Sequence, residues 1–155
     1  MEITGTLGEG EQRIAGAALQ AVLTDLVDLS LVAKQAHWNV TGPRFRSVHL
    51  QLDEVVTAAR DFSDTVAERA AAIGVPPDGR AVTVAEESVI AEHPVGWVSD
   101  DDVISWFVAQ LSAVIARLRQ QIDETEKADP VTQDLLIGIV AELEKQRWMF
   151  QAENG

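Results

Sequence analysis

The stretch PPDGRAVTVAEESVIAEHPVGWV, Pro76–Val98, decides how the rest of the chain is read. It holds three of the five prolines, Pro76, Pro77 and Pro94. A helix interior disfavours proline by about 3 kcal/mol, so the stretch reads as a connection between helices. Inside it, Thr83-Val84-Ala85-Glu86 has the form of a small capping box and predicts a short helix. Connections of this length are uncommon unless they cross a bundle.

Outward from this connection, the prolines leave stretches 1–42, 44–75, 95–129 and 131–155, and each reads as one long helix. In the first, Ala15, Leu19, Val22, Leu26, Leu29, Ala33 and Ala36 recur at steps of three and four, one apolar stripe. Asn39-Val40-Thr41-Gly42-Pro43 ends it. In the second, Val48, Leu52, Val55, Ala59, Phe62, Val66, Ala70 and Ile73 repeat the pattern, and Gly74 is the stop. The third opens at Ser99, an N-cap followed by Asp100, Asp101 and Asp102 at the positive end of the helix. The fourth opens with Asp129 as N-cap and Pro130 at the first helical position. Two short links and one long crossover are the connectivity of a ferritin-like bundle. The expected fold is therefore all-α: a four-helix bundle with a short helix in the crossover between the second and third long helices, one domain over residues 1–155.

The length of 155 residues and 46% hydrophobic content support a packed core, which excludes disorder and collagen-like structure. Cysteine is absent, so no disulfide or thiolate chemistry is available. No apolar run reaches the roughly 20 residues of a membrane span, and no signal peptide is visible, so the chain is expected to be cytoplasmic. The formal net charge of −13 repels phosphate backbones and attracts cations.

Among the three histidines, His49 lies four residues from Asp53, and farther along the same helix Asp64 lies four from Glu68. An i, i+4 pair faces one way on a helix, so each pair can converge on one ion. Asp53 and Asp64 are about three turns apart on nearly the same face, and at 1.5 Å per residue the pairs are separated by on the order of 16 Å. One ion cannot touch both pairs of one chain. An antiparallel twofold copy of the helix, crossing between the small residues Ala58 and Ala59, brings His49 and Asp53 beside Asp64 and Glu68 of the copy. Two identical sites per dimer follow, and His37 at the end of the first helix joins the first pair. Imidazole and carboxylate without sulfur suit iron, manganese or zinc. Ordinary surface and core polar residues remain the plain alternative.

The segments Lys34-Gln35-Ala36-His37-Trp38-Asn39-Val40-Thr41-Gly42-Pro43, His49-Leu50-Gln51-Leu52-Asp53-Glu54 and Asp64-Thr65-Val66-Ala67-Glu68-Arg69 resemble the signature of the Dps family, the mini-ferritins of DNA protection during starvation. The resemblance runs over nearly the whole chain. It implies a hollow homo-dodecamer built from twofold dimers, and a two-metal ferroxidase centre shared between subunits. His37, His49 and Asp53 would come from one subunit, and Asp64 and Glu68 from its neighbour, with Glu68 bridging. It implies that Fe(II) and hydrogen peroxide are the substrates and that ferric oxide is stored in the cavity. Trp38 falls where the family keeps a tryptophan beside the centre, to trap stray oxidising equivalents; a plain core aromatic is the other reading. Asp134 matches the family's iron-entry pore, with Glu126 and Asp129 as companions, although N-capping is the main role expected of Asp129.

DNA binding is not expected, and neither is nucleoid association. Residues 1–13 carry Glu2, Glu9 and Glu11 against Arg13, no basic residue follows Trp148, and phosphate contacts need local Lys or Arg. The rival readings are a nucleoid-compacting protein and a shell reassigned to other metal-site chemistry. His93 is expected to be a solvated loop histidine, and Trp97, Trp106 and Phe107 to be packing residues.

Overall fold

A computed structural model describes residues 3–154. The elements run α1 (Glu9–Asn39), β1 (Val40–Thr41), α2 (Phe45–Ala72), α3 (Ala81–Glu87), β2 (Val98–Ser99), α4 (Asp100–Thr125) and α5 (Pro130–Glu153). The chain is all-α in character, with four long helices and a short one in the crossover, as the proline spacing predicts. α1 packs along α2, and α4 along α5. The apolar stripes meet in one core, where Leu19, Leu26, Leu52, Phe107, Leu111, Leu136 and Phe150 are fully buried.

Local chemistry sets the helix ends. Ser99 Oγ accepts from the Asp102 amide at 3.2 Å, and Asp129 accepts from the Val131 amide at 3.3 Å. Both satisfy amides that a helix N-terminus leaves without partners. Gly74, at φ +83°, supplies the left-handed residue that stops α2. Gly42, at φ +128°, lies so close to Asp100 that a Cβ would sit 2.6 Å from its carboxylate. That approach lets Asp100 accept from the Arg44 amide at 2.6 Å, which ties the start of α2 to the start of α4. β1 and β2 form a two-residue parallel pairing, Val40 with Val98 and Thr41 with Ser99. It anchors the end of the crossover beside the α1–α2 link and is too short to leave a strand pattern in sequence.

Several local expectations are corrected. α3 starts at Ala81 rather than after a Thr83 cap: Arg80 holds the N-cap position, and Thr83 donates its hydroxyl to Asp78 Oδ2 at 2.8 Å instead. α1 is, by length and composition, apolar enough to pass for a membrane span, although Asp25 and Asp28 interrupt any continuous apolar run. Here 61% of its most apolar window is buried in the bundle. His93 is 8% exposed and packs edge-on against Trp106 with ring centroids 4.8 Å apart. Trp97, by contrast, is 78% exposed.

Candidate metal centre

The last turn of α1 and the first turn of α2 are held side by side by the short link, and each contributes one imidazole. The rings of His37 and His49 stack at 3.6 Å with 20° between planes. Their backbone bonds are reciprocal: His37 Nδ1 lies 2.8 Å from the His49 carbonyl, and His49 Nδ1 lies 2.9 Å from the His37 carbonyl. A carbonyl only accepts, so each Nδ1 carries a proton, and in the neutral tautomer the lone pair lies on Nε2. Nδ1–H donated to a carbonyl fixes ring orientation and tautomer, as for metal-bound histidines generally. Phe45 packs against His49 at 4.9 Å and covers that ring.

Asp53 sits one turn beyond His49. Its Oδ1 accepts from Lys34 Nζ at 2.6 Å and lies 3.5 Å from His37 Nδ1. The hydrogen bond from Lys34 is the main cause holding this carboxyl below its usual range. Lys34 was missed by sequence reasoning as part of the site. Its signal was its place one turn before His37, on the face that meets α2.

Asp64 and Glu68 stand exposed farther along α2, and neither makes a hydrogen bond or ion pair among the described residues. Within one chain they do not join the first group: among the described residues, no three or more His, Asp or Glu side chains gather as a metal cage. Ala59, expected at a helix crossing, is fully buried in the chain's own core. The small residue on the outer face is Ala58, which lines a shallow groove between α2 and α5 with Thr57, Asp61 and Gln146.

Trp38 is 62% exposed, which removes the core-aromatic reading. Leu50 and Trp148, also exposed, line a second groove nearby. Asp134, near the start of α5, and Glu126, at the C-terminal cap of α4, are exposed. Asp129 is 3% exposed and accepts from Arg69 Nη2 and Thr132 Oγ1, each at 2.5 Å. Its carboxylate is engaged in capping α5 and tying it to α2.

Comparison with known proteins gives a consistent picture. A family model described as a ferritin-like domain matches residues 16–154. Over 135 residues, 87% of this chain, the sequence is 39% identical to DNA protection during starvation protein 2 of Deinococcus radiodurans, and it spans 56% of that relative's length. It is 38% identical over 140 residues, 89% of this chain and 74% of the other, to the fine tangled pili major subunit of Haemophilus ducreyi. The fold superposes on a tetragonal form of Mycobacterium smegmatis Dps with a TM-score of 0.92 at 32% identity, covering 99% of this chain and 93% of that one.

Proposed function

Because this chain belongs to the Dps family of ferritin-like proteins, we propose that it is a ferroxidase and iron-storage mini-ferritin that protects against oxidative damage. In this reading it binds Fe(II), oxidises it preferably with hydrogen peroxide, and keeps ferric oxide inside a hollow homo-dodecamer in the cytoplasm. The observation that carries the reading is the stacked His37–His49 pair, whose Nδ1 atoms are tied to backbone carbonyls while neither Nε2 has a hydrogen-bond partner among the described residues. Two donors so prepared, with a carboxylate alongside, form half a site.

The other half is the unpartnered Asp64 and Glu68. An antiparallel twofold pairing of α2 sets position 53 opposite 64 and position 49 opposite 68. Each centre then takes His37, His49 and Asp53 from one subunit and Asp64 and Glu68 from the other, and one isologous interface makes two centres. Nitrogen and oxygen donors without sulfur suit Fe(II) as substrate, and Glu68 is placed to bridge two ions. Two Fe(II) ions each give one electron to one hydrogen peroxide. The O–O bond breaks to two hydroxides, and no hydroxyl radical is released. Trp38, next to His37 and exposed on the single chain, is placed to intercept an oxidising equivalent that escapes. Asp134 and Glu126 supply free carboxylates where the family admits iron, with Asp129 as a structural companion.

The net charge of −13 favours cation uptake and opposes DNA. No gel shift is expected for metal-free protein at about 150 mM salt, where phosphate contacts without local Lys or Arg are weak. The deciding experiment compares peroxide-driven Fe(II) oxidation by the parent and by Asp64→Ala/Glu68→Ala. The double variant is expected to lose most of the rate. If it assembles normally and oxidises iron as fast as the parent, the site assignment fails.

A further inference from the structure

The crossover is fastened to the bundle largely by side chains of α1 and α4 that bond its backbone. Gln20 brackets Asp78, donating to its carbonyl at 2.9 Å and accepting from its amide at 3.0 Å. Gln110 accepts from the Ala91 amide at 2.9 Å. Between these points, Asp25 Oδ1 accepts from the Val89 amide at 3.0 Å and from Arg117 Nη1 at 3.2 Å. The same Nη1 donates to the Glu87 carbonyl at 2.9 Å.

Asp25 is 2% exposed. Both of its bonds converge on Oδ1, and among the described residues no hydrogen bond reaches Oδ2. An ionised carboxylate can accept about four hydrogen bonds, and in this largely enclosed one Oδ2 has no protein partner among the described residues and is left to what solvent reaches it. A proton on Oδ2 would remove the buried charge and leave both bonds to Oδ1 in place. We propose that this arrangement makes the crossover a pH-responsive strap, with Asp25 as the sensor, which opens more readily at neutral pH than in mild acid.

Burial pushes the Asp25 carboxyl up from 3.8 to about 6, against the opposing pull of Val89 and Arg117. The sign follows from linkage. The closed strap holds a proton on Asp25 more tightly than the opened, hydrated strap, so lowering the pH from neutral through 6 favours closure. The charged groups around Asp25 are Arg117 from α4, Asp28 from α1, which adds to the upward shift, and the exposed Glu87 at the end of α3. His93, four residues beyond Val89, works the other way. Burial lowers its pKa, so acid favours its exposure.

The inference does not depend on the metal reading, and its test uses hydrogen exchange in the full-length, assembled protein. The peptide spanning residues 84–91 is followed at about pH 7.5 and pH 5, with intrinsic rates corrected. If opening returns Asp25 from about 6 toward 3.8, the opening equilibrium is about tenfold smaller at pH 5. Asp25→Asn keeps an acceptor for Val89 and removes the carboxyl titration, so its protection should no longer rise in acid. Arg117→Gln removes the countercharge, so it should open more at pH 7.5 and widen the difference between the two conditions. His93→Asn should leave the Asp25-dependent difference intact. Parent protection that does not rise in acid, or an Asp25→Asn variant that keeps the parent's pH dependence, overturns the proposal.

Discussion

The two ends of α2 carry the two halves of the candidate centre, and they are built differently. At the N-terminal end, His49 is stacked on His37, bonded to its backbone and covered by Phe45, and Asp53 is held by Lys34. At the C-terminal end, Asp64 and Glu68 are exposed with no partner among the described residues, while the next residue, Arg69, is tied to Asp129 and Thr132. One half is shaped by its own chain before any ion arrives. The other is only positioned by a rigid helix. In the proposed centre this is a division of labour, in which the ordered half sets geometry and the open half supplies charge from across an interface.

The sharpest way to break this comparison is to remove a donor from the ordered half. His49→Ala deletes a nitrogen of the proposed centre and the bond from its ring to the His37 carbonyl. Removing outer-shell partners alone commonly costs about 10–100-fold in metal affinity or activity, so a loss of at least that size is expected in peroxide-driven Fe(II) oxidation. A rate within a factor of about two of the parent would remove the histidine pair from the centre. The next test asks whether the halves come from different chains. His49→Ala and Asp64→Ala/Glu68→Ala subunits are each expected to be inactive alone. Dissociated and reassembled together, half of randomly formed dimers are mixed and each mixed dimer rebuilds one of two sites. Activity should then return to about a quarter of the parent's, as isologous sharing requires. No recovery in proven mixed assemblies would argue for a site within one chain.

A smaller effect is expected at Lys34. Its ammonium sits 2.6 Å from Asp53 Oδ1, where an incoming cation meets a charge of its own sign. Both groups are partly exposed, at 27% and 45%, so solvent screens the interaction. Lys34→Met should raise Zn(II) or Co(II) affinity on the order of fivefold, the size of a screened unit charge several ångströms away. Calorimetric titration checks the direction, and weaker binding in the variant would show that Lys34 orients Asp53 more than it competes for it.

What could be read from sequence divides along the same physical line. Ser99, Gly74 and Asp129 act through neighbours a few residues away, so their roles at helix ends were legible. The helical phase of His49, Asp53, Asp64 and Glu68 was legible for the same reason. Contacts between distant segments were not. The bond from Arg117 to Asp25 spans 92 positions, and that from Asp78 to Gln20 spans 58. No periodicity encodes such pairs. Ala59 and Ala58 look alike in sequence, yet one faces the core and the other the groove, because a step of 100° separates them. Lys34 could have been found, since it precedes His37 by one turn, but a lysine beside candidate ligands reads as an ordinary solvated charge.

His93 shows the same limit and yields the smallest expected effect. Proline on one side and an acidic neighbour on the other gave every local reason to place it in solvent. Tertiary packing against Trp106 and Phe107 buries it, its Nδ1 lies 2.8 Å from the Pro94 carbonyl, and its Nε2 has no partner among the described residues. Burial lowers its pKa from 6.5, so the packed state disfavours the charged ring. Its contribution to stability is therefore present above about pH 6.5 and is lost as the pH falls below that value. His93→Leu keeps the apolar contact, removes the unpartnered buried nitrogen and gives up one hydrogen bond. At pH 7.5 these changes should nearly cancel, within about 1 kcal/mol. Below pH 6 the variant should melt higher than the parent. Thermal melts across pH 5 to 7.5 check this, and parallel curves for the two proteins would mean that His93 never charges before the bundle itself gives way.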